Sequence, residues 1–431
     1  MHPRTFNAPG MALGLLLATL APSVQAAAWT SQESGTTATL NAIQFLDAQN
    51  GYAVGASGTV LRTTDGGSSW SDVSIDTAYP IQDLSMISGI AGWVVAGDPD
   101  ASEVSGAVWR TTDAGANWTQ ETLTSTRARF GVSFPSAATG WACGARNGAI
   151  DIQATTDGGS TWTEQSSASV FGWTYGIDAV SPALAWSCGV VFFPAASGFV
   201  VHTTDGGTSW SAQPTGTVPF LYGIDFVSPT VGFCAGEQGT ILATTDGGSS
   251  WTAQTSGTVA NLADVSFSGP SDGVACGSGG TILATSDGGA TWTLEETPTG
   301  VGLNGIFILD SGNAWAVGED GTILRRGGTT DVPARLAGRG VALLQCSPNP
   351  FGFHTTVSYQ LPGSDYVSLS VYDPAGHRVA LLAEEAQTAG EHLVRWDGAN
   401  AEGHALPSGI YYLRLRREEG APATLPLVLT R

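Results

Sequence analysis

One eight-residue phrase, written six times, constrains this chain more than anything else in it. Thr-Thr-Asp-Gly-Gly-Ser-Ser-Trp at 63–70 returns with small changes at 111–118, 155–162, 203–210, 244–251 and 285–292. Its aspartates, Asp65, Asp113, Asp157, Asp205, Asp246 and Asp287, are spaced by 48, 44, 48, 41 and 41 residues. Ahead of each copy runs a weaker pattern: apolar-x-apolar, a Gly-aromatic pair, Val/Cys-Gly, then a strand like Gly-Thr-Ile-Leu. The clearest lead-ins are 221–242 and 262–283, and a seventh at 303–324 has no Asp phrase after it. Four strands every 41–48 residues is the spacing of a β-propeller blade. The seventh blade lacks an outer strand, and the segment Ala28-Trp29-Thr30-Ser31-Gln32 matches Trp251-Thr252-Ala253-Gln254, which follows an Asp phrase. The N-terminal segment is therefore expected to close the ring by pairing near 321–325, which removes two sheet edges that would otherwise invite aggregation. The expected fold is all-β: a seven-bladed β-propeller over 27–326, followed by a small Ig-like β-sandwich.

The phrase has a local physical reading. An Asp carboxylate accepts backbone N–H groups within its own turn, the glycines permit positive φ, and the Trp packs between blades. Repeat two departs from the pattern, with Asn117 where Ser or Thr is usual. The phrase resembles the Asp box of sialidases, sortilin-type receptors and related bacterial propellers. Together with GWACG at 140–144, AWAVG at 314–318, GTILATTDGGSSW at 239–251 and GTILATSDGGATW at 280–292, the repeats resemble the photosystem II stability and assembly factor family. The resemblance implies that the six aspartates are structural and lie away from the ligand face. Identical residues in every blade are what turn chemistry requires, whereas a catalytic site draws different residues from different blades.

The ends read differently. A weakly basic start, the apolar run 11–20, Pro22 and small residues around Ala26 form an export signal with cleavage after Ala26. Residues 327–340 read as a linker. From 341 to 431, strands are expected at 355–361, 366–373, 390–396, 409–416 and 424–430. The phrases SPNPF, VYDPAGHRV, WDG and SGIYYLRL there resemble the Ig-like domain of flagellar hook-capping proteins and the sorting domain of type IX secretion cargo. That resemblance implies a sorting or anchoring domain, and with it a secreted or cell-surface protein, periplasmic if not sorted further.

Composition narrows the function. The chain holds 16 Arg, no Lys and 37 acidic residues, for a net charge of −21. Such an excess argues against nucleic-acid binding, which needs cations to displace phosphate counterions, and no segment is long and apolar enough to span a bilayer. Cys143, Cys188 and Cys276 fill a column that holds Val54 and Val317 elsewhere, with Cys234 one residue off, and all four read as buried free thiols. No CxxC or paired His marks a metal site, and no cofactor is implied. Asp83, Asp178, Asp225 and Asp264 fall on inner strands, where an acidic channel holds water or a cation.

The connections entering the inner strands, and the loops between second and third strands, all reach one face. Both are unusual in blades two to four, and the patch they form is expected on the channel face of blades two to five. They carry the candidate ligand-binding residues Arg127, Arg129, Phe130, Arg146, Trp173, Tyr175, Phe192, Phe193 and Tyr222, with Phe171 and Phe220 nearby. Aromatic and Arg clusters are what interface hot spots use, and the arginines point to an anionic or carboxylate-bearing partner. The expected role is a non-enzymatic binding or scaffold module, monomeric, for a protein or glycan ligand, with secretion machinery as partner of the C-terminal domain. Two alternatives stand beside it: a photosystem assembly role, and a sialidase-like or other Asp-box glycosidase. The sialidase Phe/Tyr-Arg-Ile-Pro signature is missing.

Overall fold

The computed structural model describes residues 28–431 except 99–105, 124–126, 147–148, 166–170, 193–194, 217–218, 328–343, 348–353, 362–363, 374–376, 389, 401–403, 418–422 and 430–431. The export signal and nearly all of the linker lie outside the described residues. The chain divides into two units, 1–328 and 329–431.

The first unit is a ring of seven four-stranded antiparallel sheets. Blade one is Leu40–Phe45, Gly51–Gly55, Val60–Thr63 and Ser71–Asp72. The same meander recurs in blades two to six, within 81–121, 129–164, 172–213, 221–254 and 262–295. Blade seven takes Leu303–Asp310, Asn313–Gly318 and Ile323–Arg326 from one end of the unit, and Trp29–Gln32 from the other. Trp29 pairs with Arg326 and Gln32 with Ile323. Trp29 is buried, its indole donates to Glu295 of blade six at 2.6 Å, and Arg326 both pairs with Glu295 at 3.1 Å and stacks over the Trp29 ring. The closing strand is thus locked to the neighbouring blade as well as to its own.

Alternation drives the packing. First strands bury every third or second residue, while second strands such as Gly51–Gly55 and Gly232–Gly236 are buried throughout, as central strands between two blades must be. The Gly of each Gly-aromatic pair makes room for a ring: a Cβ on Gly51 would lie 2.6 Å from the Phe45 ring, and one on Gly232 2.5 Å from Phe226. Those rings then stack across blade interfaces. Phe45 lies on Trp315, Phe134 on Trp93, Phe226 on Trp186 and Phe267 on Phe233, all with centroids 3.5–3.7 Å apart. The Asp-box tryptophans Trp70, Trp162, Trp251 and Trp292 abut these Phe rings edge-on. They back an aromatic triad that spans the interface.

Each Asp box is self-contained. In the first, Asp65 accepts from the Thr63 hydroxyl, the Ser69 amide and the Ser69 hydroxyl, while Thr63 accepts the Gly67 amide. The other five copies repeat this pattern. In repeat two the Asn117 amide replaces the hydroxyl at 2.7 Å. These side-chain hydrogen bonds hold the carboxyls below their usual range, Asp157 at about 2. The box also receives its neighbour: the indoles of Trp93, Trp186 and Trp315 donate to the carbonyls of Gly158, Gly247 and Gly66 in the next blade's box.

The second unit is a sandwich of a three-stranded sheet and a four-stranded sheet, with Trp396, Tyr359, Leu369, Leu413 and Leu427 in its core. Two strands were not expected from the sequence, Leu344–Ser347 and Arg378–Gln387. The four described cysteines are buried free thiols in the propeller. Burial pushes the Cys143 thiol up to about 12. The side chain of Cys346 lies outside the described residues.

Candidate functional site

A β-bulge in the first strand of every blade builds the site. Pairing between first and second strands skips one residue near its start, and a bulge re-aims the extra residue. The seven skipped residues are Asn41, Gln82, Phe130, Tyr175, Tyr222, Ala263 and Asn304. All seven line a central channel of about 790 Å³. They form a collar that is amide-bearing in blades seven, one and two and aromatic in blades three, four and five.

The aromatic half is continuous. Phe130 meets Tyr175 at 5.7 Å, and Tyr175 meets Tyr222 at 5.2 Å. From Tyr175 the rings run outward over blade four: Trp173 at 6.4 Å, Phe192 at 5.3 Å from Trp173, and Phe171 at 6.0 Å from Phe192. Phe171 is 54% exposed. Six aromatic rings thus descend from the outer surface into the channel. The Tyr222 hydroxyl donates to Glu237 at 2.9 Å. Burial and then Glu237 push the Tyr175 phenol up to about 12, and burial with the Glu237 bond raises Tyr222 as well.

Below the collar lie the channel aspartates, in two rings rather than one. Asp83 and Asp264 follow directly after the bulge residue, and Asp178 and Asp225 lie three residues after it. Each clasps the next blade. Asp83 accepts the Val132 amide, Asp178 the Phe226 amide, Asp225 the Phe267 amide and Asp264 the Ile306 amide, at 2.6–3.0 Å. Gln44 and Ser133 do the same for blades one and three, and Asn304 holds the Leu40 carbonyl across the closure. All four line the channel. Burial raises all four, Asp83 and Asp264 to about 7, and repulsion from neighbouring channel carboxyls adds to the rise at Asp83 and Asp225. Among the described residues no cluster of three or more His, Cys, Asp or Glu is arranged to hold a metal ion.

The arginines depart from the expectation. Arg129 is fully buried and pairs with buried Asp151 at 2.9 Å. Arg129 lies opposite Gly144, which lies opposite Asp151. With no side chain at Gly144, the guanidinium crosses the central strand and is neutralised there, so Arg129 does not belong to the surface patch. Arg127 is half-buried on the entry to blade three and is not among the channel-lining residues. The side chain of Arg146, and Phe193 altogether, lie outside the described residues. Elsewhere in the propeller Arg110, Arg325 and Arg326 lie 5.6–5.7 Å over Trp93, Trp315 and Trp29. Among the described residues the expected cationic cluster that would attract an anionic partner is therefore not assembled, while Phe130, Trp173, Tyr175, Phe192 and Tyr222 are brought together. Sequence reasoning missed Glu237, in a short turn whose equivalents are Ala56, Ser278 and Glu319. It also missed the amide half of the collar, which only the bulge register reveals.

Two family models match the chain. Residues 21–126 match the photosynthesis system II assembly factor YCF48, and residues 352–420 match the FlgD Ig-like domain. The chain thus resembles a YCF48-type propeller joined to an FlgD-type Ig-like domain. Among solved structures, YCF48 bound to D1 peptide is 20% identical with a TM-score of 0.56, covering 72% of this chain and 99% of that one. YCF48 from Cyanidioschyzon merolae is 20% identical with a TM-score of 0.57, covering 70% and 99%. The GH74 enzyme of Niastella koreensis is 13% identical with a TM-score of 0.55, covering 92% of this chain and 73% of that one. At these identities the likeness is one of fold. No curated protein matches the sequence. Among the described residues no helix is long and apolar enough to cross a membrane.

Proposed function

We propose that the propeller is a non-enzymatic binding module that holds an extended polypeptide segment on the aromatic half of its collar. The observation that carries this reading is the unbroken run of rings from Phe171 to Tyr222 across the channel mouth. Large, rigid rings give contact area at low entropy cost, which is why aromatic anchors dominate interface energetics. The similar YCF48 propeller bound to a D1 peptide is consistent with a protein ligand. A role in photosystem assembly is the same physical activity with a photosynthetic partner. The fold likeness to a GH74 enzyme raises a hydrolytic alternative. Against it, the channel carboxylates are already engaged as clasps between blades.

The export signal and the Ig-like domain complete the proposal. The first carries the chain out of the cytoplasm, and the second sorts or anchors it at the cell surface. Deleting 341–431 in the native host is expected to strand the propeller in the periplasm, and normal surface display of the truncated protein would refute the sorting role. For the propeller, a random dodecapeptide library is panned on the full chain, with Trp173→Ala/Tyr175→Ala as counter-target. Enriched peptides should bind the wild type and lose at least tenfold in affinity on the double variant. Equal binding to both proteins would overturn the site, and enrichment of glycans but no peptide on an array would replace the ligand class.

A further inference from the structure

The charge around the aromatic collar selects what enters it. We infer that the channel mouth takes a cationic side chain, an arginine or lysine of the bound polypeptide, seated on the Tyr175–Tyr222 rings with Glu237 at the rim and the channel aspartates beyond. The inference rests on the collar being the binding site and names the chemistry that site prefers.

Three observations point the same way. The first is composition of the wall. Among the described residues lining the channel, the ionisable side chains are four carboxyls, Asp83, Asp178, Asp225 and Asp264, and two phenols, Tyr175 and Tyr222, with no Arg or His. The buried Cys143 and Cys276, on which Asp83 and Asp264 act, stay neutral because burial first pushes their thiols upward. The carboxyls have no counter-charge among these lining residues; burial raises them above their usual range, and repulsion from neighbouring channel carboxyls adds to it at Asp83 and Asp225. A positive group arriving in the channel relieves that repulsion.

The second is register. Asp178 lies three residues after Tyr175 and Asp225 three residues after Tyr222, on the same inner strands and lining the same cavity. The face of a tyrosine ring attracts a cation within about 6 Å of its centroid. A long side chain passing the two rings therefore meets negative charge deeper in. Glu237 adds a carboxylate at the rim, held by the Tyr222 hydroxyl, and Glu319 and Asp320 stand exposed on the matching turn of blade seven.

The third is how the chain uses its own arginines. Arg110, Arg325 and Arg326 are placed over Trp rings between blades, and Arg129 is committed to Asp151. Guanidinium over an aromatic ring is a contact this architecture already makes three times, yet none of these four is supplied to the collar rings. An incoming side chain fills that place.

The test uses three blocked hexapeptides, acetyl-Gly-Gly-X-X-Gly-Gly-amide, with X arginine, citrulline or glutamate, titrated calorimetrically into the full chain. Citrulline keeps the shape of arginine, exchanges one nitrogen donor for a carbonyl acceptor and removes the charge. The arginine peptide is expected to bind at least tenfold tighter than the citrulline peptide, and the glutamate peptide not measurably. Glu237→Gln should weaken the arginine peptide severalfold and leave the citrulline peptide unchanged, a pattern that a loss of structure does not produce. Tyr175→Ala/Tyr222→Ala should abolish binding of both. If the glutamate peptide binds as well as the arginine peptide, and the Tyr variant abolishes it, the site stands and the cationic preference is overturned. If the arginine peptide binds equally to the Tyr variant, both the site and the preference fall. No binding by any of the three overturns the cationic preference, while the library selection still judges the site.

Discussion

The two faces of the propeller use repetition in opposite ways. On one face the Asp box is copied six times with the same bonds: Thr hydroxyl and backbone amide to one carboxylate oxygen, Ser, Thr or Asn to the other. On the other face the same β-bulge is copied seven times, but its residue changes from amide to aromatic to Ala around the ring. Where position and residue repeat together, the residue serves the turn. Where position repeats and residue varies, the fold supplies a mount and the varied side chains make one side of the ring unlike the other. Box and collar are both regular, so regularity alone does not separate structure from function.

The largest expected effect comes from breaking the ring that carries both faces. Deleting 27–36 removes buried Trp29, a loss of about 3–5 kcal/mol by itself for a core tryptophan, and exposes the edge at Ile323–Arg326. The elution peak of the intact chain should give way to aggregate in size-exclusion chromatography. An unchanged melting temperature and elution profile would show that the closing strand is dispensable.

Next is the buried ion pair that lies on the collar side without belonging to the site. Arg129→Ala leaves Asp151 buried without this partner, which typically costs about 3–5 kcal/mol. Arg129→Met/Asp151→Leu, which removes both charges, should recover most of that loss in chemical denaturation. Equal destabilisation by the single and double variants would mean that the site depends on charge rather than packing there.

A smaller effect sharpens the contrast by sign. The collar-side carboxyls Asp83 and Asp264 titrate near 7 when folded and near about 3.9 when unfolded. Folding then favours their protonated form. The stability they contribute is complete below about pH 4 and lost as pH rises through about 7. Burial raises both, backbone amides oppose it, Asp264 and Asp178 add to the rise at Asp83, and no cation faces them among the described lining residues. The Asp-box carboxyls are held low and do the reverse: their contribution is present above about pH 4 and lost as pH falls, through about 2 for Asp157. The melting temperature should rise by a few degrees from about pH 8 to about pH 5.5. Asp83→Asn/Asp264→Asn should flatten that slope and raise the value at the alkaline end. An unaltered slope in the double variant would assign the effect to the general acidity of the chain.

How much of this was legible in the sequence follows from how local each feature is. The blade count, the ring closure and the Asp-box turns rest on contacts within a repeat or on a missing copy of one, and period and phrase carry them. The aromatic residues of the site were legible because Phe130, Tyr175 and Tyr222 interrupt a regular pattern at equivalent places, with Trp173 two residues ahead of Tyr175. Arg129 was misread because its fate depends on Gly144 and Asp151, two strands away, and nothing near it in sequence reports that pairing. Glu237 carried no signal, since its turn accepts Ala, Ser or Glu alike. The strand Arg378–Gln387 is rich in Ala, Leu and Glu, good helix formers, and is a strand only because it pairs with Asp365–Tyr372.

The division of labour between the faces is tested most directly by one paired measurement. The affinity for the arginine hexapeptide and the melting temperature are measured for wild type, Tyr175→Ala/Tyr222→Ala and Asp246→Ala. The account predicts that the tyrosine variant loses binding with its melting temperature nearly unchanged, while Asp246→Ala melts a few degrees lower and binds as wild type does. Loss of binding in a folded Asp246→Ala protein, with binding kept in the tyrosine variant, would contradict it.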